Sequence, residues 1–467
     1  MKTVIDNKIR VQDPNAAILQ WTKDNLVMPN PDYIKKVRMG FYLGHTQKKL
    51  NLFEYYETKN TLALPFGTLR EVQDILLAGG EIETRFEKPA EVDYGDPVPL
   101  YGYQKEAVED CYKKRYGILQ SPAGSGKTQM GLALIQKYGR RALWLTHTID
   151  LVRQSKARAE QYMDKSLLGT IIEGKVDVGK GITFATVQTM ANVDLDELKN
   201  MWDVIVVDEC HRVAGTYTNM TRFYRVLSGL AARHKYGITA TAYRADGMIK
   251  ATFALIGGVI HTVPDEAVSD TVMNVAIRPV AVDTPPSTQY LGTDGMLNYT
   301  KLIGYLCENE ERNKLIASCI VAEKDHPCLI LSDRLEHLRT LMEMLPPDMR
   351  EQAVMVSGDM TSKAEKQERT DAMEDMRKGR KKYLFASYSL AKEGLDIPCL
   401  ERLFLTVPRK DKGCIVQSIG RIARVDVNKK FPVAYDFVDE NIKYCHNSYR
   451  ERYRYYVRMK CGFVHDD

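Results

Sequence analysis

The residues best suited to chemistry lie in the segment 121–128, SPAGSGKT, which follows a short apolar run and precedes an apolar, helix-like stretch. A glycine-rich loop between a strand and a helix can wrap backbone N–H groups around phosphate oxygens, and the helix N-terminus adds partial positive charge. Lys127 would then reach the β- and γ-phosphates of a nucleoside triphosphate, and Thr128 would ligate Mg²⁺. Ser121 stands where such a loop usually has its first glycine. The cradle itself would come from Gly124, Ser125 and Gly126.

A second chemical signal is the apolar run 204–207, which ends in Asp208 and Glu209. A carboxylate at the carboxyl end of a strand can hold Mg²⁺ through water, the role predicted for Asp208. Glu209 can orient and deprotonate the water that attacks a γ-phosphate. Two acids that end a strand are often only a surface feature, but the phosphate-type loop earlier in the chain favours the catalytic interpretation.

Parallel sheets would position these side chains. From residue 100 onward short apolar runs alternate with amphipathic stretches, and the pattern restarts after an irregular stretch at 283–286. Alternating β and α units predict an α/β fold with two parallel sheets covered by helices, and a ligand cleft between them. The predicted strands are 142–145, 182–185, 204–207, 236–238, 328–331, 354–356, 383–386, 403–406 and 433–437.

Composition divides the chain further. Residues 1–97 carry no nucleotide-binding motif and end in an acidic, proline-containing stretch, 91–99, that has the character of a linker. We therefore predict an N-terminal accessory domain at 1–97, a first lobe at 98–283 and a second lobe at 284–467. Residues 1–52 hold nine Lys/Arg against four Asp/Glu, so any basic face of the first domain belongs to its first half.

Composition also argues against several classes of protein. The 467 residues contain no apolar segment long enough for a membrane span, and the N-terminus lacks the apolar core of a signal peptide. The nine cysteines include no CxxC pair, which argues against a zinc site or a disulfide framework. We therefore expect a soluble, cytoplasmic protein with no membrane partner. A net charge of +5 is too small to prove a polyanionic partner.

The sequence Asp208–His211, DECH, belongs to the DExD/H set, and here the chain resembles the superfamily 2 helicases and translocases. Further motifs follow in that family's order. The segment 100–104 is similar to the Q-motif, in which Gln104 would read the adenine edge and Tyr101, where the family often has arginine, would stack on the base. The other similar segments are 145–154 (motif Ia), 185–189 (Ib), 237–242 (III), 331–334 (IV), 387–398 (V) and 417–424 (VI).

The resemblance implies two RecA-like lobes behind a small N-terminal α/β domain. In motif VI, Arg421 and Arg424 would reach the γ-phosphate when the cleft closes and stabilise the transition state, together with Gln417. The remaining assignments are grouped by role. Gly394 and Asp396 would join the nucleotide site; Thr239, Thr241, Arg244 and Asp246 would couple hydrolysis to movement; and Thr148, Gln154, Thr186, Arg334 and Ser387 would contact a nucleic-acid backbone.

Two further segments indicate the branch of the family. Residues 243–247 are similar to an Arg-Glu-Asp element of the XPB-like and UvsW-like enzymes, although Ala245 replaces the glutamate. The N-terminal domain follows an order similar to the small DNA-binding domain of UvsW-like phage recombination helicases. Its phosphate-contacting surface, or alternatively a merely solvated basic face, would be formed by Lys35, Lys36, Arg38, Lys48 and Lys49.

The sequence thus predicts a nucleic-acid-stimulated ATPase: an ATP-dependent DNA helicase or translocase acting on duplex or branched DNA in recombination, repair or replication. The motifs that grip a backbone do not separate DNA from RNA, so an RNA helicase is one alternative. A restriction-type DNA motor with a nuclease partner is another. A non-catalytic nucleic-acid-binding scaffold is the alternative from a different class. The segment 449–456 is interpreted as a terminal helix packing on the second lobe in preference to a base-stacking platform.

Overall fold

A five-stranded mixed sheet forms the N-terminal part of the chain. Alternating burial along its second strand places Ile9 and Val11 in the core. Its strand order is β5-β6-β2-β1-β7, and β3 and β4 pair separately. The elements are β1 (Lys2–Ile5), β2 (Lys8–Gln12), α1 (Ala16–Asn25), β3 (Val27–Pro29), α2 (Pro31–Arg38), β4 (Lys49–Asn51), β5 (Glu54–Tyr56), β6 (Thr61–Pro65), α3 (Leu69–Gly79) and β7 (Glu81–Thr84).

An eight-stranded sheet follows, in the order β11-β10-β12-β9-β13-β14-β8-β15. It is parallel except for β11. Its central strands are buried along their whole length, as expected where helices cover both faces. The elements are α4 (Gly102–Lys114), β8 (Gly117–Gln120), α5 (Lys127–Tyr138), β9 (Ala142–Thr146), α6 (Ile149–Ala159), β10 (Leu168–Ile172), β11 (Lys175–Asp177), β12 (Ile182–Thr186), α7 (Val187–Met190), α8 (Leu195–Leu198), β13 (Val204–Asp208), α9 (Tyr217–Gly229), β14 (His234–Thr239), α10 (Ile249–Ile256) and β15 (Val259–Thr262).

A second parallel sheet has seven strands, in the order β18-β19-β17-β20-β21-β16-β22. Its elements are β16 (Ala276–Val282), α11 (Tyr299–Glu308), α12 (Glu310–Ala322), β17 (Cys328–Ser332), α13 (Leu335–Glu343), α14 (Pro347–Glu351), β18 (Ala353–Val356), α15 (Lys363–Arg377), β19 (Tyr383–Ser387), α16 (Tyr388–Glu393), β20 (Arg402–Leu405), α17 (Lys412–Ile422), β21 (Val433–Asp439), α18 (Lys443–Arg458) and β22 (Gly462–Phe463). All nine strands predicted in the two lobes are present.

This computed structural model describes residues 1–122, 124–212, 217–242, 247–268, 273–357, 363–393, 395, 397–426 and 428–464. The chain divides into two units, Met1–Pro122 with Gly126–Pro264, and Ala123–Ser125 with Asp265–Asp467. The strand β16 precedes the predicted boundary at 283/284 but pairs with β21 in the second unit. The division into three domains stays a prediction. Among the described residues, no helix combines the length and the apolar character needed to cross a bilayer.

The N-terminal sheet shares a hydrophobic core with the first parallel sheet. Phe66 lies in one cluster with Tyr116, Met248 and Ala254, and the rings of Phe66 and Tyr116 are 5.1 Å apart. At Gly67 the backbones approach so closely that a Cβ atom would lie 2.4 Å from the amide nitrogen of Gly257. Because protein cores are close-packed, this shared core joins the N-terminal sheet and the first parallel sheet into one packed body.

The stretch 91–99, expected to be a linker, is instead packed along α5. Tyr94 is buried, and its hydroxyl donates to the carbonyl of Arg140 at 2.8 Å. The Gln136 side chain donates to the carbonyl of Asp96 at 2.7 Å and accepts from the amide of Val98 at 2.9 Å. Acidic and proline residues gave this stretch the composition of a linker, but Tyr94 anchors it to the first unit.

The C-terminal helix α18 packs on the second parallel sheet. This packing favours the interpretation of segment 449–456 as a packed terminal helix over that of a base-stacking platform. Arg452 is buried and donates two hydrogen bonds to the Asp436 carboxylate, at 2.7 and 2.8 Å. The buried Tyr456 hydroxyl donates to the same carboxylate at 2.7 Å. Only Tyr453 among the three tyrosines at helical spacing is exposed. The arginines and tyrosines of α18 thus serve partly to satisfy one buried acid.

A buried lysine lies where the N-terminal sheet meets the first parallel sheet. Lys235 on β14 is fully buried, and its ammonium donates to the carbonyl of Leu227 at 2.7 Å and lies 5.1 Å from the Phe66 ring centroid. Burial lowers the pKa of Lys235 to about 7, with the Asp6 charge opposing the shift. Above about pH 7 the folded chain therefore releases the Lys235 proton, whereas the unfolded chain keeps it up to the ordinary lysine pKa of about 10. Because the unfolded state binds more protons in this range, the free energy of unfolding increases with pH.

We expect Lys235→Met to remove this pH dependence. The wild-type unfolding free energy should rise between about pH 7 and pH 10, by at most about 1.4 kcal/mol per pH unit, and the variant's should not. Urea unfolding followed by tryptophan fluorescence measures both profiles. Lys175→Met, at an exposed strand position, is the matched control and should keep the wild-type profile. Parallel profiles for wild type and Lys235→Met would show that Lys235 stays protonated in the folded state.

Candidate nucleotide-binding and catalytic site

The loop between β8 and α5 carries the residues predicted to form a phosphate cradle. Gly126 has φ of 75°, and a Cβ atom there would lie 2.4 Å from Nε2 of Gln104, so only glycine fits. Helix α5 begins at Lys127, whose ammonium lies 3.1 Å from the carbonyl oxygen of Pro122. Ser121 is buried, and its amide donates to the carbonyl of Thr239 at 2.9 Å. The loop therefore offers ammonium and helix N-terminus together, the groups that suit the phosphates of a nucleotide.

The residues of the predicted adenine site surround the start of α4. Gln104 is buried, and its Oε1 accepts a hydrogen bond from the amide of Tyr101 at 2.9 Å. Tyr101 is exposed and stacks nearly parallel on Tyr103, with ring centroids 6.1 Å apart. Gln104 thus bridges the start of α4 and Gly126, while Tyr101 presents an aromatic ring to the surface. Their roles toward adenine stay predictions.

The two acids lie at the carboxyl end of β13. Asp208 is buried, and its Oδ1 accepts a hydrogen bond from the amide of Glu209 at 2.9 Å. Glu209 has φ of 48°, a left-handed conformation that is uncommon outside glycine and typical of strained functional residues. Asp208 thus ends the buried strand, and the backbone turns at Glu209 directly after it.

The acids differ in their electrostatic surroundings. Burial, followed by the charge of Glu209, raises the pKa of Asp208 above the ordinary value of an aspartate. Burial also acts to raise the pKa of Glu209, but the hydrogen bond from His211 and the positive charge of Lys127 outweigh it and hold that pKa low. Glu209 is therefore ionised at neutral pH and able to accept a proton. A divalent cation at Asp208 would favour its carboxylate form, which fits the predicted Mg²⁺ ligand.

A series of close polar contacts joins Glu209 to the predicted coupling segment. Nδ1 of His211 lies 3.3 Å from Oε2 of Glu209 and 2.9 Å from Oγ1 of Thr239. The same Oγ1 accepts from the amide of Thr241 at 3.1 Å. His211 therefore links Glu209, the acid predicted to activate water, to Thr239 and Thr241. Arg244 and Asp246, predicted for the same coupling role, lie outside the described residues.

The sequence did not predict a second set of contacts, which starts at Arg212, one residue after His211. Nη1 of Arg212 lies 2.8 Å from Nε2 of His147, and Nε2 of Gln188 donates to the His147 carbonyl at 2.9 Å. These contacts join the end of the acidic motif to the segments 145–154 and 185–189. His147 and Gln188 are within the quoted segments, but nothing in the sequence shows that Arg212 contacts them.

Two of the three residues predicted to contact nucleic acid in the first unit, Thr148 and Thr186, lie at helix N-termini at the carboxyl ends of neighbouring strands. Thr148 caps α6, with Oγ1 accepting from the amide of Leu151 at 3.3 Å. Thr186 caps α7, with Oγ1 accepting from the amide of Thr189 at 3.3 Å. Strands β9 and β12, which precede them, are adjacent and parallel, so both caps lie at the same edge. Gln154 lies on α6 and is half-buried.

In the second unit, Gln417, Arg421 and Arg424 recur at helical spacing on and just beyond α17. Nε of Arg421 donates to the carbonyl of Ala391 at 2.8 Å. Oε1 of Gln417 is buried with no hydrogen-bond partner among the described residues. Two residues predicted to contact a nucleic-acid backbone lie at strand ends of this sheet. Ser387 is the last residue of β19, and Arg334 follows β17 at the N-cap position of α13, without a side-chain capping hydrogen bond. Gly394 and Asp396 lie outside the described residues.

Two family models match the chain. Residues 97–244 match the model described as "Type III restriction enzyme, res subunit", and residues 311–426 match the "Helicase conserved C-terminal domain". The first match contains the loop and the acid pair, and the second contains Arg421 and Arg424. The archaeal DNA 3'-5' translocase XPB2 of Sulfurisphaera tokodaii is 25% identical over 70% of this chain and 79% of its own. Both models and this relative support an enzyme of superfamily 2 of the helicases.

Other superfamily 2 relatives agree. The ATP-dependent DNA helicase uvsW of Enterobacteria phage T4 is 22% identical over 72% of this chain and 68% of its own. A protein of Acanthamoeba polyphaga mimivirus named as an ATP-dependent RNA helicase, L396, is 26% identical over 74% of this chain. The chain spans 64% of that relative's length. These matches confirm the prediction of an enzyme of this superfamily, in the XPB-like and UvsW-like branch.

A solved superfamily 2 structure supports the fold. Dbp5 of S. cerevisiae, bound to RNA and ADP BeF3, matches 79% of this chain and 94% of its own with a TM-score of 0.54 and 16% sequence identity. The α/β prediction of two RecA-like parallel sheets is therefore confirmed. At this identity the likeness supports the fold alone.

Proposed function

We propose that this superfamily 2 protein is an ATP-dependent DNA helicase or translocase that acts on duplex or branched DNA in recombination, repair or replication. The observation that supports it most is the joint geometry of the cradle at Gly126, the ionised Glu209 and the His211 bridge to Thr239. A scaffold protein would need the fold but not this acid pair. The composition suggests that the protein works in the cytoplasm.

In this proposal Lys127 and the backbone of Gly124, Ser125 and Gly126 bind the phosphates of ATP. Thr128 and Asp208 hold Mg²⁺, which when bound would neutralise phosphate charge. Glu209 orients a water and accepts its proton as the new P–O bond forms and the bond to ADP breaks. Arg421 and Arg424 stabilise the transferring phosphoryl group. His211 couples the protonation state of Glu209 to Thr239.

DNA is proposed as the polynucleotide because two of the relatives are a DNA translocase and a DNA helicase. The RNA helicase name of the mimivirus relative supports the alternative, an RNA helicase. The match of residues 97–244 to a restriction-enzyme subunit model supports a restriction-type motor, which would copurify with a nuclease partner. The grip on a phosphate backbone through helix N-termini would be the same in each case.

A panel of polynucleotides tests the proposal. ATP turnover is measured with blunt duplex DNA, forked DNA, single-stranded DNA, single-stranded RNA and duplex RNA, each at one low salt concentration because backbone binding weakens steeply with salt. We expect duplex and forked DNA to stimulate turnover most. Preferential stimulation by RNA would replace the proposal with an RNA helicase, and no turnover with any polynucleotide would leave a binding scaffold.

A further inference from the structure

The N-terminal domain contains an excursion, residues 31–49, which we call the basic flap. It lies between β3 and β4, which pair with each other outside the five-stranded sheet, and the buried Met28 and Leu50 on these strands belong to the shared hydrophobic core. Hydrogen bonds close its base: the Asn30 side chain donates to the carbonyl of Gln47 at 2.8 Å, and the Asn30 amide donates to the carbonyl of Lys48 at 3.1 Å. The basic flap is thus an ordered projection of a packed domain.

The apolar side chains of the basic flap face outward. Residues 1–122 are all described, and within them no residue from 31 to 49 is buried, including every residue of α2. Phe41 is 58% exposed and Tyr42 is 91% exposed. Ile34, Val37 and Met39 are each more than half exposed. Five large apolar side chains that lie close in sequence and outside any described core are more typical of an interaction site than of an ordinary surface.

The charge of the basic flap indicates what it contacts. It holds five Lys/Arg and one Asp, a net charge of +4, whereas the whole chain carries +5. A polyanion would be attracted to such a surface, and phosphate contacts alone would leave the aromatic rings without a role. Rings beside cations suit a nucleic acid whose bases are unstacked, because any base can stack on an aromatic side chain.

We propose that Phe41 and Tyr42 stack on unpaired bases where a duplex opens or branches. Neighbouring phosphates are held by Lys35, Lys36, Arg38, Lys48 and Lys49. The inference rests on the proposed function and deepens it, since it names the feature of DNA that the enzyme selects. Because the N-terminal sheet shares its core with the first parallel sheet, a base held by the basic flap moves with the domain that carries Lys127.

The full-length double variant Phe41→Ala/Tyr42→Ala tests the stacking. Fluorescence anisotropy measures its affinity, without ATP, for a fork with unpaired arms and for a blunt duplex of equal length. We expect a loss of about fivefold to a hundredfold on the fork and less than about twofold on the duplex, since stacking on one base contributes roughly 1–3 kcal/mol. Tyr55→Ala removes an exposed ring outside the basic flap and should bind both as wild type does.

A charge variant tests the phosphate contacts. Lys35→Gln/Lys48→Gln should weaken fork and duplex alike and flatten the plot of log affinity against log salt, by about 0.9 in slope for each duplex phosphate that is no longer neutralised. Circular dichroism should be unchanged in all variants, because the replaced side chains are exposed. Unchanged fork binding by Phe41→Ala/Tyr42→Ala, or an equal loss on fork and duplex, would overturn the proposal and leave the apolar face to a protein partner.

The readout separates this inference from the proposed function. Binding is scored without ATP, so wild-type protein that binds the fork but shows no stimulated turnover would contradict the ATPase and leave the basic flap standing. If wild-type turnover is stimulated and Phe41→Ala/Tyr42→Ala is fully active and binds the fork as wild type does, the proposed ATPase stands and the stacking role of the basic flap is contradicted. A 2-aminopurine base at the junction adds a direct signal, because stacking on a ring quenches it in wild type and not in the double variant.

Discussion

Glu209→Gln is expected to abolish nucleic-acid-stimulated ATP hydrolysis while ATP binding survives. The amide keeps the shape of the side chain but cannot accept a proton, and Glu209 is the acid whose pKa the structure holds low. Loss of a general base lowers turnover by about a hundredfold to ten-thousandfold. The measurement is kcat with saturating forked DNA, together with the Kd of a fluorescent ATP analogue.

Two further variants serve as comparisons for Glu209→Gln. Lys127→Ala should lose both nucleotide binding and hydrolysis, because it removes the ammonium at the cradle. Glu173→Gln is the matched control, since Glu173 is exposed and has a similar left-handed backbone, with φ of 52°. Glu173→Gln should retain wild-type turnover. Full activity in purified Lys127→Ala would remove the basis for the proposed function.

Arg421→Ala is expected to lower turnover by about a thousandfold or more, with little change in nucleotide affinity. An arginine that stabilises the charge of a transferring phosphoryl group contributes about 10³–10⁵ in rate in related nucleotide hydrolases. Arg421→Lys should not restore the rate, because the guanidinium offers a planar fork and the ammonium a single point charge. The comparison of kcat with the KM for ATP measures the effect.

Arg339→Ala, an exposed arginine on α13, is the control in the same unit and should behave as wild type. Arg424→Ala should resemble Arg421→Ala if both act on the transition state. A raised KM with unchanged kcat in Arg421→Ala would mean that Arg421 contributes to binding ATP and not to the chemical step.

The parallel sheets could be predicted because their strands are short apolar runs separated by amphipathic helices, a pattern local to each segment. The acid pair and the loop were equally local, since both lie in unbroken stretches of sequence. The contacts of His211 and Arg212 could not be predicted, because Thr239 and His147 lie 28 and 65 positions away. Only the order of strands in the sheet brings those residues together.

The N-terminal region was the least predictable part. Its strands are short, and two residues at its borders, Tyr94 and Lys235 on β14 of the first parallel sheet, are buried in surroundings that did not predict burial. An acidic, proline-containing stretch suggested a linker, and a lysine inside an apolar run gave no sign that it would be fully buried. Both residues take their positions from packing between distant segments, which local sequence patterns do not encode.

The shared core around Phe66 limits how this protein can be dissected. Cutting the chain at residue 97 would leave Tyr116, Met248 and Ala254 without the side chains that now cover them. A truncated product would present an apolar face to water and would be prone to self-association. The contribution of the first domain is therefore accessible through point substitutions on its outer surface, and the loss of activity in a deletion mutant would say little about it.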